Sequence, residues 1–329
     1  MKNKKPLIIV LGEPNSIFIE ILSKTLNKKT TFAKINYPII IIGSKKLIIA
    51  QLKALKKKLK YKEINDDFVT SQLLRKKIYL IDVEYNFKKT FDIITIKSKN
   101  YISNCFQIAL KLLNKGISDK IVNGPISKKH FLENKYPGIT EFIFDKSKKK
   151  ISRKPVMLLH NKNLSISPLT THIPLKKVVR NISKNLIINN VTTIYNFLKK
   201  NKNIKPKIAI LGINPHCETK SKLNEENLVI RPAINKLKKR KINIDGPFPT
   251  DTFFINKNIS KYDCIIGNYH DQVLTPFKTL YGFDASNLTL GLPFLRMSVD
   301  HGPNQSMLGK NKSSPKSLEN IFDFINSLK

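Results

Sequence analysis

Short runs that are apolar at nearly every position alternate along this chain with longer stretches whose apolar residues return every three or four places. Leu7 to Leu11 is such a run, closed by Gly12 and Pro14, and SIFIEILSKTL behind it has helical spacing, so the pair predicts strand, turn and helix. PIIIIG, Pro38 to Gly43, predicts a second buried strand, with the helix-prone AQLKALKKKLK after it. Lys76 to Val83 and Phe91 to Ile96 predict further strands, and Ser103 to Lys115 an amphipathic helix stopped by Gly116. IVNGPISK, Ile121 to Lys128, predicts another strand that opens into a loop. Strands that are apolar on both faces and separated by helices belong in a parallel sheet covered on both sides, because each face must be shielded from water.

From Pro155 to Pro174 the pattern turns β-rich and predicts a hairpin whose second limb delivers Thr170, Thr171 and His172. Helical sequence runs from Leu175 to about Lys200. The clean strand KIAILG then ends in INPH, Ile213 to His216, and a helix is predicted over Asn224 to Lys239. Tyr262 to Gly267 repeats that design, with CIIG leading into NYH, and Ser317 to Leu328 predicts a last amphipathic helix. The predicted fold class is α/β.

At 329 residues the chain is long enough for one large or two medium domains. Its formal charge of +37 calls for an electrostatic partner if read alone. The excess is nearly all lysine, however, scattered in KK and KKK runs beside abundant isoleucine and asparagine, as an AT-rich coding sequence produces. Arginines and aromatics do not cluster with the lysines, so a solvated surface is expected rather than a nucleic-acid interface. Cys105, Cys217 and Cys264 are widely spaced and form no CxxC pair, which implies a reduced, cytoplasmic protein. The apolar run near the N-terminus is too short for a signal segment or a membrane span.

Chemistry concentrates in NYHDQVLTPFKTLYGFDASNLTLGLPFLRMSVDHG, Asn268 to Gly302, where histidines, carboxylates and the cations Lys278 and Arg296 sit among apolar runs. His172, His216 and His270 each follow a strand or strand-like limb. Residues just past the carboxyl ends of strands border the ligand crevice in open α/β sheets. Three imidazoles gathered there match a divalent-metal site with an open position, although no short fixed spacing such as HExxH supports it. A lone histidine at a strand end is more often a hydrogen-bonded structural residue. Arg296 in LPFLRMSV can grip a carboxylate or phosphate with two parallel bonds, and Lys278 adds a point charge. Asp271 beside His270 suits a partner of the imidazole, a proton acceptor or a helix cap. Neither GxGxxG nor GxxxxGK[ST] is present.

In this order, LGEPNSIFIEI, NGPISK, GITEF, TTHIPL, INPHCE, GPFPTDTFF, NYHDQVLTPFK and NLTLGLPFLRMSVDHG resemble the 4-hydroxythreonine-4-phosphate dehydrogenase family of pyridoxal phosphate biosynthesis, over nearly the whole chain. The resemblance implies two α/β/α domains around a cleft, related to isocitrate and isopropylmalate dehydrogenases. Residues 1–125 with 275–329 would form the nucleotide-side domain, and 126–274 the domain with the metal ligands and dimer interface. It implies a homodimer with a shared active site, NAD as cofactor, and one divalent ion (Zn, Mg or Co) held by His172, His216 and His270. Substrate would meet Thr140, Lys278, Asn287 and Arg296, with Lys278 and Asp271 as catalytic candidates and Gly12, His301 and Gly302 near the nucleotide. The implied reaction oxidises 4-phosphooxy-L-threonine and releases carbon dioxide to leave 3-amino-2-oxopropyl phosphate.

The sequence departs from that pattern at three places. A substrate-binding histidine of the family is Ile139 here. The usual first loop GDPAGIGPE is GEPNSIFIE, with Ser16 and Phe18 in place of glycines, and TALDIAGTG after DHG is PNQSMLGKN. A phosphorylated threonate or erythronate is therefore an alternative substrate, and an inactive or basic nucleic-acid-binding protein an alternative of another class.

Overall fold

A computed structural model describes residues 4–133, 135–136, 138–147, 154–202, 205–218, 223–255 and 257–328. By contacts the chain divides into two compact units, Met1–Ser152 with Leu292–Asn326 and Arg153–Gly291 with Ser327–Lys329.

The first unit begins with β1 (Leu7–Val10), α1 (Phe18–Asn27), α2 (Lys29–Lys34), β2 (Ile39–Gly43), α3 (Lys45–Ala54), β3 (Lys62–Glu63) and β4 (Ile78–Asp82). It continues with α4 (Lys99–Asn114), β5 (Lys120–Asn123), α5 (Lys128–Phe131) and α6 (Ile139–Lys146). These strands pair in parallel in the order β3-β4-β2-β1-β5, and β1 and β2 are buried along their whole length, as their unbroken aliphatic runs require. Period-two alternation sends Ile8, Val10, Ile40, Ile42 and Ile121 to one face, where Tyr101, Ile102, Cys105, Phe106 and Ala109 of α4 cover them. Their neighbours Ile9, Ile39, Ile41 and Val122, equally buried, point to the other face.

Phe91 to Ile96 does not form the expected strand. Ile93 is exposed, and the segment is bonded to side chains of the first loop instead: Asn15 Nδ2 donates to Ile93 O at 3.1 Å and Asp92 N to Asn15 Oδ1 at 3.1 Å. Gln51 adds bonds from its Nε2 to Pro14 O and Thr90 O. The four apolar residues of FDIITI, which do not keep to one face of a strand, were too little to outweigh those bonds.

In the second unit come β6 (Val156–His160), β7 (Ser165–Thr170), α7 (Val178–Asn181), α8 (Lys184–Lys202), β8 (Ile208–Leu211), α9 (Arg231–Lys239) and β9 (Ile244–Phe248). They are followed by α10 (Thr250–Phe253), β10 (Cys264–Tyr269), α11 (His270–Tyr281) and β11 (Ser286–Leu290). The expected hairpin is β6-β7, antiparallel, with β11 antiparallel on β6, whereas β7-β10-β8-β9 are all parallel. The helix expected from Leu175 is interrupted before Ser183, whose hydroxyl accepts Leu186 N at 3.2 Å and starts α8. The helix expected from Asn224 enters through a wide π-turn at Glu226–Ile230. Leu159, Ile166, Ala209, Leu211, Ile265, Val273 and Phe277 make its core. β12 (Leu295–Val299), parallel to β5, and α12 (Lys316–Ser327) complete the first unit.

The turn after β1 explains why Gly12 is glycine: its φ is +75°, and a Cβ there would lie 2.7 Å from Pro125 O and 2.9 Å from Gly124 O. Next to it Glu13 is buried, with Ser98 Oγ donating to Oε2 at 3.2 Å and Oε1 without a partner among the described residues. Burial pushes its carboxyl up to about 7 against the pull of the bonds from Ser98 and Asn15. The folded state therefore holds this proton more tightly than the unfolded chain does. The stability Glu13 contributes is present below the ordinary carboxylate range and lost as pH rises through about 7. Urea unfolding should find Glu13→Gln more stable than wild type at pH 8 by roughly 2 kcal/mol, with the gap closing at pH 4; a gap independent of pH would contradict the burial argument.

Candidate active site

Parallel pairing of β10 with β7 on one side and β8 on the other puts the segments after all three strands at one edge of their sheet. Tyr269 is opposite Thr170, so His270 and His172 leave adjacent strand ends, and Thr170 Oγ1 ties them by donating to Asn268 O at 2.7 Å. Their rings stand 5.9 Å apart between centroids, tilted by 37°. His172 has φ of 34°, a left-handed backbone that a Cβ disfavours and that surrounding structure must impose. His270 opens α11, and its Nδ1 is 2.6 Å from Asp271 Oδ1, which leaves Nε2 as the outward nitrogen. Holding one ring nitrogen on a carboxylate while the other faces away is how metal-ligating imidazoles are oriented.

His216 follows β8 on the loop Gly212–Cys217, where both His216 and Cys217 are left-handed, with φ of 55° and 60°. Its Nδ1 lies 3.7 Å from Asp251 Oδ2 and the side chain is largely exposed. Among the described residues no three side chains of His, Cys, Asp or Glu in this chain gather closely enough to hold one ion. The structure thus joins His172 to His270 and leaves His216 at the same edge, against Asp251.

The strained loop is held from below. Glu226, fully buried, accepts Ile213 N at 2.7 Å and Asn214 N at 2.8 Å on Oε1, and Asn214 Nδ2 at 2.7 Å on Oε2. Burial alone would raise its pKa, but these donors outweigh it and hold the carboxyl below its ordinary value. A matching lock secures β10, where Gln272 Oε1 accepts Asn268 N at 2.6 Å and Gln272 Nε2 donates to Gly212 O at 2.6 Å. Sequence reading had singled out neither Glu226 nor Gln272, since nothing in the spacing relates them to the loops they hold.

Lys278 lies on α11 about two turns beyond His270, with Nζ 4.6 Å from the centroid of the Phe283 ring. Asn287, on β11, has a buried Oδ1 with no partner among the described residues, an acceptor that costs stability until a donor reaches it. In the first unit Arg296 on β12 is buried, with Nη1 donating to Thr140 Oγ1 at 3.3 Å in the first turn of α6. Desolvation pushes its pKa down to about 10, with Glu141 opposing the shift. Ile139 is buried in the hydrophobic core of the first unit, and its aliphatic side chain offers no polar contact there.

Around the first loop, Ser16 Oγ accepts Phe18 N at 3.3 Å, Glu13 N donates to Pro125 O and Ile17 N to Pro303 O. Phe18 is buried where a Cβ on Gly124 would strike its ring. These amides are engaged within the protein, so this loop does not form a phosphate cradle of the glycine-rich kind. His301 Nδ1 is 2.9 Å from Gly302 O, and Gly302 stands in open space ahead of an exposed polar segment with Asn304, Gln305, Ser306, Lys310 and Lys312.

Residues 34–324 match the family model described as pyridoxal phosphate biosynthetic protein PdxA. The chain belongs to this family. It is 38% identical over 319 residues to the 4-hydroxythreonine-4-phosphate dehydrogenase of Sulfurihydrogenibium sp. strain YO3AOP1, covering 94% of each chain. It is 28% identical to the D-threonate 4-phosphate dehydrogenase of Salmonella typhimurium strain LT2, covering 95% of this chain and 96% of that one. Among solved structures it resembles a 4-hydroxythreonine-4-phosphate dehydrogenase from Burkholderia phymatum, with a TM-score of 0.78, 25% identity and coverage of 100% and 99%. Members of the PdxA family are thus named as dehydrogenases, and the α/β class expected from the sequence holds. No helix among the described residues is long and apolar enough to cross a membrane.

Removing the carboxylate beneath the His216 loop should loosen it. Glu226→Gln should lower stability by about 1–3 kcal/mol at pH 7, because a Gln NH2 would face the NH2 of Asn214. The difference should be present in full above the ordinary carboxylate range, shrink as pH falls below it and be lost only in stronger acid, as pH passes the lowered pKa of Glu226 in the folded state; chemical denaturation at pH 7 and over a descending series of acid buffers measures both.

Proposed function

We propose that this protein oxidises 4-phosphooxy-L-threonine with NAD and a divalent cation, and that the product loses carbon dioxide to give 3-amino-2-oxopropyl phosphate. The observation that carries the reading is the His172–His270 pair at adjacent strand ends, with Asp271 orienting His270, in a member of the PdxA family. Imidazole nitrogens suit Zn or Co better than Mg, which prefers oxygen ligands, and the strained backbone at His172 and His216 fits positions kept for ligation. His172 and His270 would come from one chain and His216 from the second copy in a homodimer, in keeping with there being no three-residue group among the described residues of one chain.

When bound, the ion supplies Lewis-acid polarisation of the substrate hydroxyl, and NAD takes the hydride. The chain's own residues do the rest. Arg296 would grip an anionic end of the substrate through its planar fork, and Lys278 would add a point charge for an anionic group. The unpartnered Oδ1 of Asn287 receives a donor of the substrate, and the Thr140 hydroxyl lies beside Arg296 for the same anionic end. Asp271 keeps the proton of His270 on Nδ1, so that Nε2 presents its lone pair. Its role is orientation rather than proton abstraction. The nucleotide would run along His301, Gly302 and the polar segment beyond, while Gly12 contributes the shape of the turn.

A second reading keeps the chemistry and takes a phosphorylated threonate or erythronate. Ile139 favours it: a buried aliphatic side chain stands where the family has a substrate-binding histidine, and the Salmonella typhimurium relative is named for D-threonate 4-phosphate.

NADH formation should follow addition of 4-phosphooxy-L-threonine, disappear after chelation and return with Zn²⁺, Co²⁺ or Mg²⁺; turnover of D-threonate 4-phosphate alone would select the second reading, and turnover of neither would defeat both. His216→Ala and His270→Ala should each be inactive, yet a mixture refolded together should regain about a quarter of wild-type activity, since half the dimers are mixed and one of their two sites is intact. A mixture as inactive as its parents would refute a site shared between copies.

A further inference from the structure

Asn123 is the last residue of β5 and is 2% exposed. On the parallel neighbour β12, Arg296 is opposite Ile121 and Ser298 opposite Asn123, so Arg296 and Asn123 emerge on one face, two positions apart. The arginine side chain lies along that face toward the carboxyl end of β5, where its Nε donates to Asn123 Oδ1 at 2.8 Å. Asn123 Nδ2 donates in turn to Gly124 O at 2.8 Å. That second bond settles which way the amide points. Turned over, it would set NH2 against the guanidinium and oxygen against a carbonyl, donor facing donor and acceptor facing acceptor.

A neutral acceptor has a further effect. Glu141 already acts on the guanidinium from nearby; a carboxylate in place of Asn123 would bind Nε directly and neutralise the buried cation, and an anionic ligand would then meet an ion pair rather than a positive charge. We propose that Asn123 is a positioning residue that orients the Arg296 guanidinium for the anionic end of the substrate and, as an uncharged amide, leaves its positive charge to that end. The inference rests on the reading of Arg296 as a substrate clamp. It accounts for a buried polar residue at the end of β5, KIVN, whose other buried positions, Ile121 and Val122, serve the core.

The experiment measures KM and kcat for 4-phosphooxy-L-threonine, and calorimetric binding of the same compound without NAD, in Asn123→Asp, Asn123→Leu, Arg296→Ala and the two double variants. Asn123→Asp keeps an acceptor for Nε but loses the donor to Gly124 O, so a merely structural role predicts lower stability in urea unfolding with KM unchanged once the folded fraction is matched. The proposal predicts a KM and a dissociation constant raised about tenfold or more, with kcat within about threefold, the change expected when one charge-assisted contact is lost. Asn123→Leu should raise KM likewise through loss of orientation. In the Arg296→Ala background neither substitution should add to the effect, because the residue acts only through the arginine. If Arg296→Ala raises KM but Asn123→Asp does not, the inference falls and the clamp stands. If Arg296→Ala leaves KM and binding unchanged, the clamp itself is wrong and the inference falls with it.

Discussion

The parallel seating of β10 between β7 and β8 is the constraint on which the candidate site depends. It converts three segments separated by dozens of residues into neighbours at one sheet edge, and it fixes their order before any side chain is considered. The strands can do this because Cys264, Ile265, Ile266, Ile166, Ala209 and Ile210 are fully buried, so a slip of one residue would turn a core face outward. Apolar burial thus sets the register that delivers polar residues to the edge.

What the strands deliver, buried polar side chains then hold. The backbone at His172, His216 and Cys217 is left-handed without glycine, which persists only where neighbouring bonds over-determine it. Glu226 and Gln272 serve this purpose with short bonds to main-chain groups of Ile213, Asn214, Asn268 and Gly212. A surface loop free to relax would surrender those conformations. In the first unit Asn123 has the same relation to Arg296: a buried side chain that touches no solvent and determines where a charged one points.

These two levels differed in how far the sequence disclosed them. Runs such as LIIV, IIIIG and IAIL are legible because burial on both faces leaves no polar position, and the recurrence of histidine after such runs pointed to the shared edge. β11 and β12, with SNLTL and LRMSV, were harder to place as strands because Asn287, Thr289, Arg296 and Ser298 interrupt the run. Their strand state follows from pairing with β6 and β5 rather than from propensity. At Phe91 to Ile96 the error went the other way, since apolar residues were present but Asn15 claimed the backbone. Glu226 and Asn123 were illegible as supports because a hydrogen bond between distant residues leaves no periodic mark. The inner face of the first loop was partly readable: Ser16 and Phe18 in place of glycines announced bulk, and the structure turns that bulk inward against Gly124 and the start of α1.

The charge of the chain must be considered at two scales. A lysine-coated surface attracts every anion alike, and at physiological salt its field fades within about 8 Å, so it can hasten the arrival of a phosphorylated compound but cannot choose among them. Choice requires a cation whose direction is fixed and whose surroundings exclude water. Arg296 meets both conditions: it is buried, its Nε is bound to a neutral acceptor, and Thr140 lies on its Nη1 side. Replacing a surface lysine alters a screened background, whereas rotating this one guanidinium would alter the geometry of the recognition proposed for it. On so basic a protein, then, the proposed selectivity would rest on a few oriented groups rather than on the charge that first draws attention in the sequence.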